Sequence, residues 1–229
     1  MRFSLTGQVL KRQGMHLDPQ LFLTLILSNM SHVTTDIAAA ASALREGALV
    51  AFATETVYGL GANACDGQAV ARIYEAKGRP SFNPLIVHVP TTEEAVKLGK
   101  FNADALKLAD IFWPGPLTIV VERADDCPVS KLASAGLSSL AIRVPGRENA
   151  RELLQLAGCP VAAPSANISG QISPTRAQHV IDGLGERIWG VLDGGACEVG
   201  LESTIVSCLG ETPVILRPGG LSREKIEEG

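Results

Sequence analysis

Two basic side chains one residue apart, Lys77 and Arg79, are the first in this chain whose type and spacing suggest chemistry. They flank Gly78, which would stop a helix running from Gly67, and Pro80 and Pro84 stiffen the segment beyond it. Two cations on a stiff turn suit a polyanion, most simply a phosphate group. A plainer account stands beside it: a helix C-terminus favours exposed cations through its dipole. A second polar cluster, T-E-T at 54–56, ends the apolar run Ala48 to Ala53, and a third, P-S-A-N at 164–167, ends the run from Val161. Ligands of α/β sheets sit at strand ends, so these segments predict one strand-end cleft.

Other residues carry weaker signals. Ser165 and Asn167 equally suit a turn. His88, between Val87 and Val89, reads on its own as a core histidine. Arg143 and Arg217 lie in apolar runs, where a guanidinium needs an anionic partner or a wet cleft. There is no G-x-x-x-x-G-K-[ST], which excludes a P-loop. Gly59-Leu-Gly61-Ala-Asn-Ala64 matches the dinucleotide pattern G-x-G-x-x-A, but residues 54–58 separate it from the preceding strand. Gly59 and Gly61 would let the backbone approach a ligand or take positive φ.

The elements that position these groups alternate. Asp36 caps an alanine-rich helix that Gly47 ends, and Asp66 caps the helix that ends at Lys77. The spacing predicts a loop over 54–61 and strands at 85–89, 117–121, 140–144, 161–163, 188–192, 203–208 and 214–216. Further helices start at Thr91 or Thr92, at Asn102, at Glu148 and at Thr175, and one begins near the C-terminus. This predicts a single α/β domain over 34–229, built on an open, twisted sheet of mixed parallel and antiparallel strands with a concave active-site cleft.

Composition narrows the class. With 20 Lys plus Arg against 24 Asp plus Glu the net charge is −4, and aromatic residues make up only 4%. Both argue against a surface devoted to nucleic acid, although a local basic groove remains compatible. The five cysteines, at 65, 127, 159, 197 and 208, form no C-x-x-C and are odd in number, so they predict small core residues in a reducing cytoplasm. No run approaches the ~20 apolar residues of a membrane helix. Residues 1–33 differ from the rest. Their Leu21–Leu27 patch predicts an extension of doubtful order, or a natural start at Met30.

Seven segments in order carry a resemblance: T-E-T-V-Y-G-L-G, K-G-R-P-x-x-N-P-L-I-V-H-V, W-P-G-P-L-T, A-I-R-V-P, A-P-S-A-N-x-S-G, E-S-T-I-V and L-R-P-G. Together they resemble the YrdC-type threonylcarbamoyl-AMP synthases over residues 36 to 228. The resemblance implies an enzyme that joins L-threonine, bicarbonate or CO2 and ATP into threonylcarbamoyl-adenylate and pyrophosphate. A partner complex then transfers the threonylcarbamoyl group to the adenosine beside the anticodon of tRNA. It further implies Lys77 and Arg79 as catalytic groups at the triphosphate, with Mg2+ brought by the ATP. Asn83, Thr118, Ser165, Asn167 and Arg217 belong with the nucleotide by the same resemblance, and Thr54, His88 and Ser203 with the threonine. Arg143 is of the type to pair with the threonine carboxylate.

Two departures stand out. Ala53 occupies a place where the family commonly has proline, and the chain stops soon after Leu221 where longer members continue through a linker into a second domain. Two rival functions are a related carbamoyl-adenylate-forming enzyme of the hydrogenase-maturation kind and a non-enzymatic module binding double-stranded RNA or tRNA.

Overall fold

The structure is a computed structural model and describes residues 32–228. The Leu21–Leu27 patch and the proposed start at Met30 lie outside the described residues. His32–Thr34 already form strand β1, so regular structure begins before the expected boundary at residue 34.

In chain order the elements are α1 (Ile37–Arg45), β2 (Val50–Ala53), β3 (Tyr58–Asn63), α2 (Gly67–Lys77), β4 (Ile86–His88), α3 (Thr92–Val96) and β5 (Gly99–Lys100). They continue with α4 (Ala103–Phe112), β6 (Leu117–Arg123), β7 (Ser139–Arg143), α5 (Glu148–Ala157), β8 (Val161–Ala162) and α6 (Ala177–Leu184). A 3-10 turn, β9 (Gly190–Leu192), β10 (Thr204–Ser207), β11 (Val214–Arg217) and α7 (Arg223–Glu228) complete them. The eleven strands form one mixed sheet in the order β1-β9-β2-β3-β8-β4-β7-β6-β10-β11, with β5 paired to β6.

Local chemistry explains most boundaries. Asp36 accepts from the amide of Ala39, Asp66 from Gln68 and Asn102 from Ala105, each at its helix N-cap. Gly78 ends α2 in the left-handed conformation, at φ 58°. The cap at Thr175 is a correction: α6 starts one residue later, from Arg176, with no side-chain cap.

A second correction concerns the segment 54–61. Only 54–57 is a loop; Tyr58 onward is β3, which folds back antiparallel on β2 with Val50 opposite Gly61. Gly59 and Gly61 therefore sit inside a strand, and neither has positive φ. A Cβ on Gly61 would lie 3.0 Å from the Phe52 ring and 3.1 Å from Val161. Gly61 lets neighbouring side chains pack across the sheet, whereas Gly59 is among the residues that line a cavity on the sheet face.

The sheet's alternation sorts β2 between two cores. Val50 and Phe52 pack with α1, α5 and Val161, whereas Ala51 joins the larger core on the other face. Helices α1 and α5 thus cover only one part of their face. No described helix is long and apolar enough to cross a membrane.

Candidate active site

The sheet register builds a row of side chains from five strands. His88 on β4 pairs with Arg143 on β7. The β6–β7 ladder pairs Ile119 with Ile142, which brings the next residues out, Thr118 and Arg143, side by side. Thr118 pairs in turn with Ile205 on β10, and Ile205 with Arg217 on β11. Directly opposed residues share a sheet face. The face that α1 and α5 cover elsewhere is therefore polar here, with Ser203 preceding Ile205 by two residues.

A cavity of about 160 Å³ sits over this row. Thr54, His88, Arg143, Ser203 and Arg217 line it, as do Arg79 and Ser165 on the segments that close over it. The expected strand-end cleft is thus largely a sheet-face cavity, although Thr54 and Ser165 do follow strand ends.

Lys77 is not the exposed helix-end charge of the plainer account; it is only 2% exposed and lies behind Ser165, outside the residues that line the cavity. Its Nζ donates to the carbonyls of Ser165 and, at 2.6 Å, Asn167, while its own carbonyl accepts from the amide of Ser169. Burial, and secondarily the Arg79 charge, lower its pKa to about 8, with Glu202 pulling the other way. An ammonium has three donors, so one N–H remains beyond these two carbonyls. Arg79 donates to the carbonyl of Pro84 at 3.1 Å, and its buried Nε has no partner.

His88 is both a buried residue and a cavity residue. Nδ1 lies 3.3 Å from the carbonyl of Ile86, which can only accept, so Nδ1 carries the proton and Nε2 is an acceptor. Burial, reinforced by Arg143, pushes its pKa down to about 3 and keeps the ring neutral. Thr54 Oγ1 donates to the carbonyl of Val57 at 2.7 Å and shapes its own loop.

Four of the expected residues are paired or placed otherwise than the sequence suggested. Arg143 already has its anion: Nη2 donates to Glu55 Oε1 at 2.7 Å and to Thr56 Oγ1 at 2.9 Å. Thr118 is fully buried, does not line the cavity and shares a 2.8 Å hydrogen bond with Ser203 Oγ, so it orients that hydroxyl. Asn83 is exposed and outside the cavity lining; its carbonyl accepts from Tyr74 Oη at 3.0 Å. Asn167 also lies outside the lining, and its Nδ2 is taken by the carbonyls of Ile168 and Gln171. Sequence reasoning missed Glu55 and Glu202, both inside quoted motifs. Each binds an arginine that was noticed, and the demand of that arginine for an anion was the available signal. Among the described residues no group of three or more His, Cys, Asp or Glu side chains is arranged to hold a metal ion.

Fold and cavity together define an α/β protein with a cavity lined by Arg79, Arg143 and Arg217. The chain belongs to the Sua5/YciO/YrdC family, whose model, described as "Telomere recombination", matches residues 42–219. It is 49% identical to the threonylcarbamoyl-AMP synthase of Bacillus subtilis (strain 168), over 88% of this chain and 58% of that protein. It is 39% identical to a putative threonylcarbamoyl-AMP synthase of Mycobacterium tuberculosis (strain H37Rv), over 84% of this chain and 88% of that one. The crystal structure of P. abyssi Sua5 complexed with L-threonine matches with a TM-score of 0.82 and 47% identity, over 87% of this chain and 59% of that one. The chain therefore spans little more than half the length of some relatives.

Proposed function

We propose that this chain forms threonylcarbamoyl-adenylate from L-threonine, bicarbonate or CO2 and ATP. The observation that carries the reading is the convergence on one cavity of Arg79 from the K-G-R-P segment and Arg217 from L-R-P-G with Thr54, His88 and Ser203. Relatives bearing the synthase name at up to half identity, and the threonine complex of one of them, support it.

In this reading the threonine amine takes up CO2 as a carbamate, and a carbamate oxygen attacks the α-phosphorus of ATP. The bond to the bridging oxygen breaks and pyrophosphate leaves. Negative charge grows on the phosphoryl oxygens, where the free N–H of Lys77 and the guanidinium of Arg79 stabilise it. Mg2+ enters on the triphosphate as part of the substrate. Neutral His88 offers Nε2 to a donor on threonine, and Ser203, held by Thr118, offers its hydroxyl beside it. No side chain serves as a nucleophile, so rate comes from positioning and charge. A transferase complex acting on tRNA in the cytoplasm would consume the product.

The test is pyrophosphate release from ATP and bicarbonate, with and without L-threonine, for the native chain and Lys77→Ala. The reading expects threonine-dependent release that falls at least about tenfold in the variant, or about 1.4 kcal/mol. Release indifferent to threonine would refute it.

A further inference from the structure

Glu202 is the one carboxylate among the residues lining the cavity, and no role in the reaction has yet been assigned to it. It stands among cations. Its Oε2 forms an ion pair with Arg217 Nη1, and its Oε1 accepts from Ser173 Oγ at 2.9 Å. Arg217 is otherwise bound to its own chain: Nε and Nη2 donate to the carbonyl of Ser203 at 3.2 and 2.8 Å, and Nη2 also reaches Ser203 Oγ at 3.3 Å. The Ser203 carbonyl is main chain fixed by the adjoining start of β10 and cannot leave without disturbing that strand. The partner of Arg217 that a ligand can replace is therefore Glu202, a side chain at the end of a rotatable stem.

We infer that Glu202 is a resident counter-ion of the cavity's cations, pairing with the edge of Arg217 that a bound phosphate group would take and giving it up when that anion arrives. A carboxylate and a phosphate group compete for the same guanidinium edge, since each presents a pair of anionic oxygens that a fork of N–H donors fits. The field of Glu202 also reaches Lys77 and Arg79, and favours the protonated form of both. One carboxylate thus partly neutralises three cations. It also sets a threshold. A weakly charged anion gains too little from the cations to displace Glu202, whereas a polyphosphate engages Arg79 and Arg217 at once. This makes Glu202 a specificity-determining residue for polyphosphate over singly charged anions. The inference rests on the proposed function only in naming ATP as the natural anion.

The experiment is calorimetric titration with inorganic pyrophosphate, without divalent cations or threonine, of the native chain, Glu202→Gln, Glu202→Asp and Ser173→Ala. Glu202→Gln removes the competing charge and is expected to bind pyrophosphate about tenfold more tightly, an advantage that shrinks as salt is added. Glu202→Asp keeps the charge and stays close to the native affinity. Ser173→Ala loosens the carboxylate from its second anchor without touching charge, and shifts affinity in the same direction by a smaller factor; it tests the idea even if Glu202→Gln does not fold. Inorganic phosphate should gain more than pyrophosphate from Glu202→Gln, since the threshold is what excludes it. Unchanged or weaker pyrophosphate binding in Glu202→Gln, or equal effects of the Gln and Asp variants, would overturn the inference. Because binding alone is read, tighter binding with no threonine-dependent turnover would sink the proposed reaction and leave the counter-ion standing.

Discussion

Glu55 clamps Arg143 from across the fold. Its Oε1 accepts from Arg143 Nη2 at 2.7 Å, and its Oε2 accepts from the amide of Gly146 at 2.9 Å. One carboxylate thereby ties the loop after β2 to the end of β7, 88 residues away. With side chains only 4% and 13% exposed, this pair is shielded from water on both sides. Removing one partner leaves the other charged and buried. Glu55→Gln is expected to cost about 3–5 kcal/mol and lower the melting temperature by about 10 °C. Calorimetric melting of the two proteins checks it; a loss under about 1 kcal/mol would mean the pair is worth no more than a surface bridge.

Under the proposed reaction, Lys77 is expected to set a basic limit on activity. With a pKa near 8, the ammonium loses its proton as pH rises past that value, and with it the charge the phosphoryl oxygens need. A bound triphosphate favours the protonated form, so the basic limb of kcat is expected at higher pH than the limb of kcat/KM. Pyrophosphate release measured from about pH 6 to 10 reads both. Lys77→Arg should abolish the limb near 8 while also losing rate, because a guanidinium does not fit between the two carbonyls. A limb unmoved by that substitution would assign it to another group.

His88 makes stability depend on pH in the opposite range. Its folded value, about 3, lies below the ordinary 6.5, so between those values the unfolded chain holds a proton that the folded chain does not. The full contribution of this group is therefore present above about 6.5 and falls as pH drops, by up to about 1.4 kcal/mol per unit. Between about pH 7 and 5 the native chain is expected to lose about 2 kcal/mol from this source. Urea midpoints at the two pH values measure the loss, and His88→Gln should flatten the difference. Equal slopes for both proteins would exclude His88 as its origin.

Gly61 tests the hairpin. An added methyl would press on the Phe52 ring, Val161 and the carbonyl of Val50, all within 3.1 Å. None of these is a free side-chain end. Gly61→Ala is therefore expected to destabilise the fold by about 1–3 kcal/mol. Affinity for pyrophosphate should stay native in the folded fraction, because the glycine faces packing and not the cavity. Loss of binding at full stability would return Gly61 to the ligand.

Much of the local structure was legible in order along the chain. Asp36, Asp66, Thr91 and Asn102 are caps because a short polar side chain can reach the exposed amides of a first turn, and Gly78 stops α2 because glycine tolerates the left-handed turn cheaply. These interactions reach only a few residues along the chain, so sequence contains them whole. The family motifs likewise contain Arg79, Thr54, His88, Ser203 and Arg217, which the structure gathers around one cavity. Sequence did not contain the register. His88, Arg143, Thr118, Ile205 and Arg217 fall on one row only because β4, β7, β6, β10 and β11 are neighbours in the sheet, an order unrelated to their order in the chain. That adjacency decides which charge meets which. It gave Arg143 to Glu55, placed Thr118 beneath Ser203, enclosed Lys77 between two carbonyls and set Glu202 against Arg217. Residue type states that a buried charge needs a partner; only the pairing of distant strands, held by burial of two opposite sheet faces, chooses it.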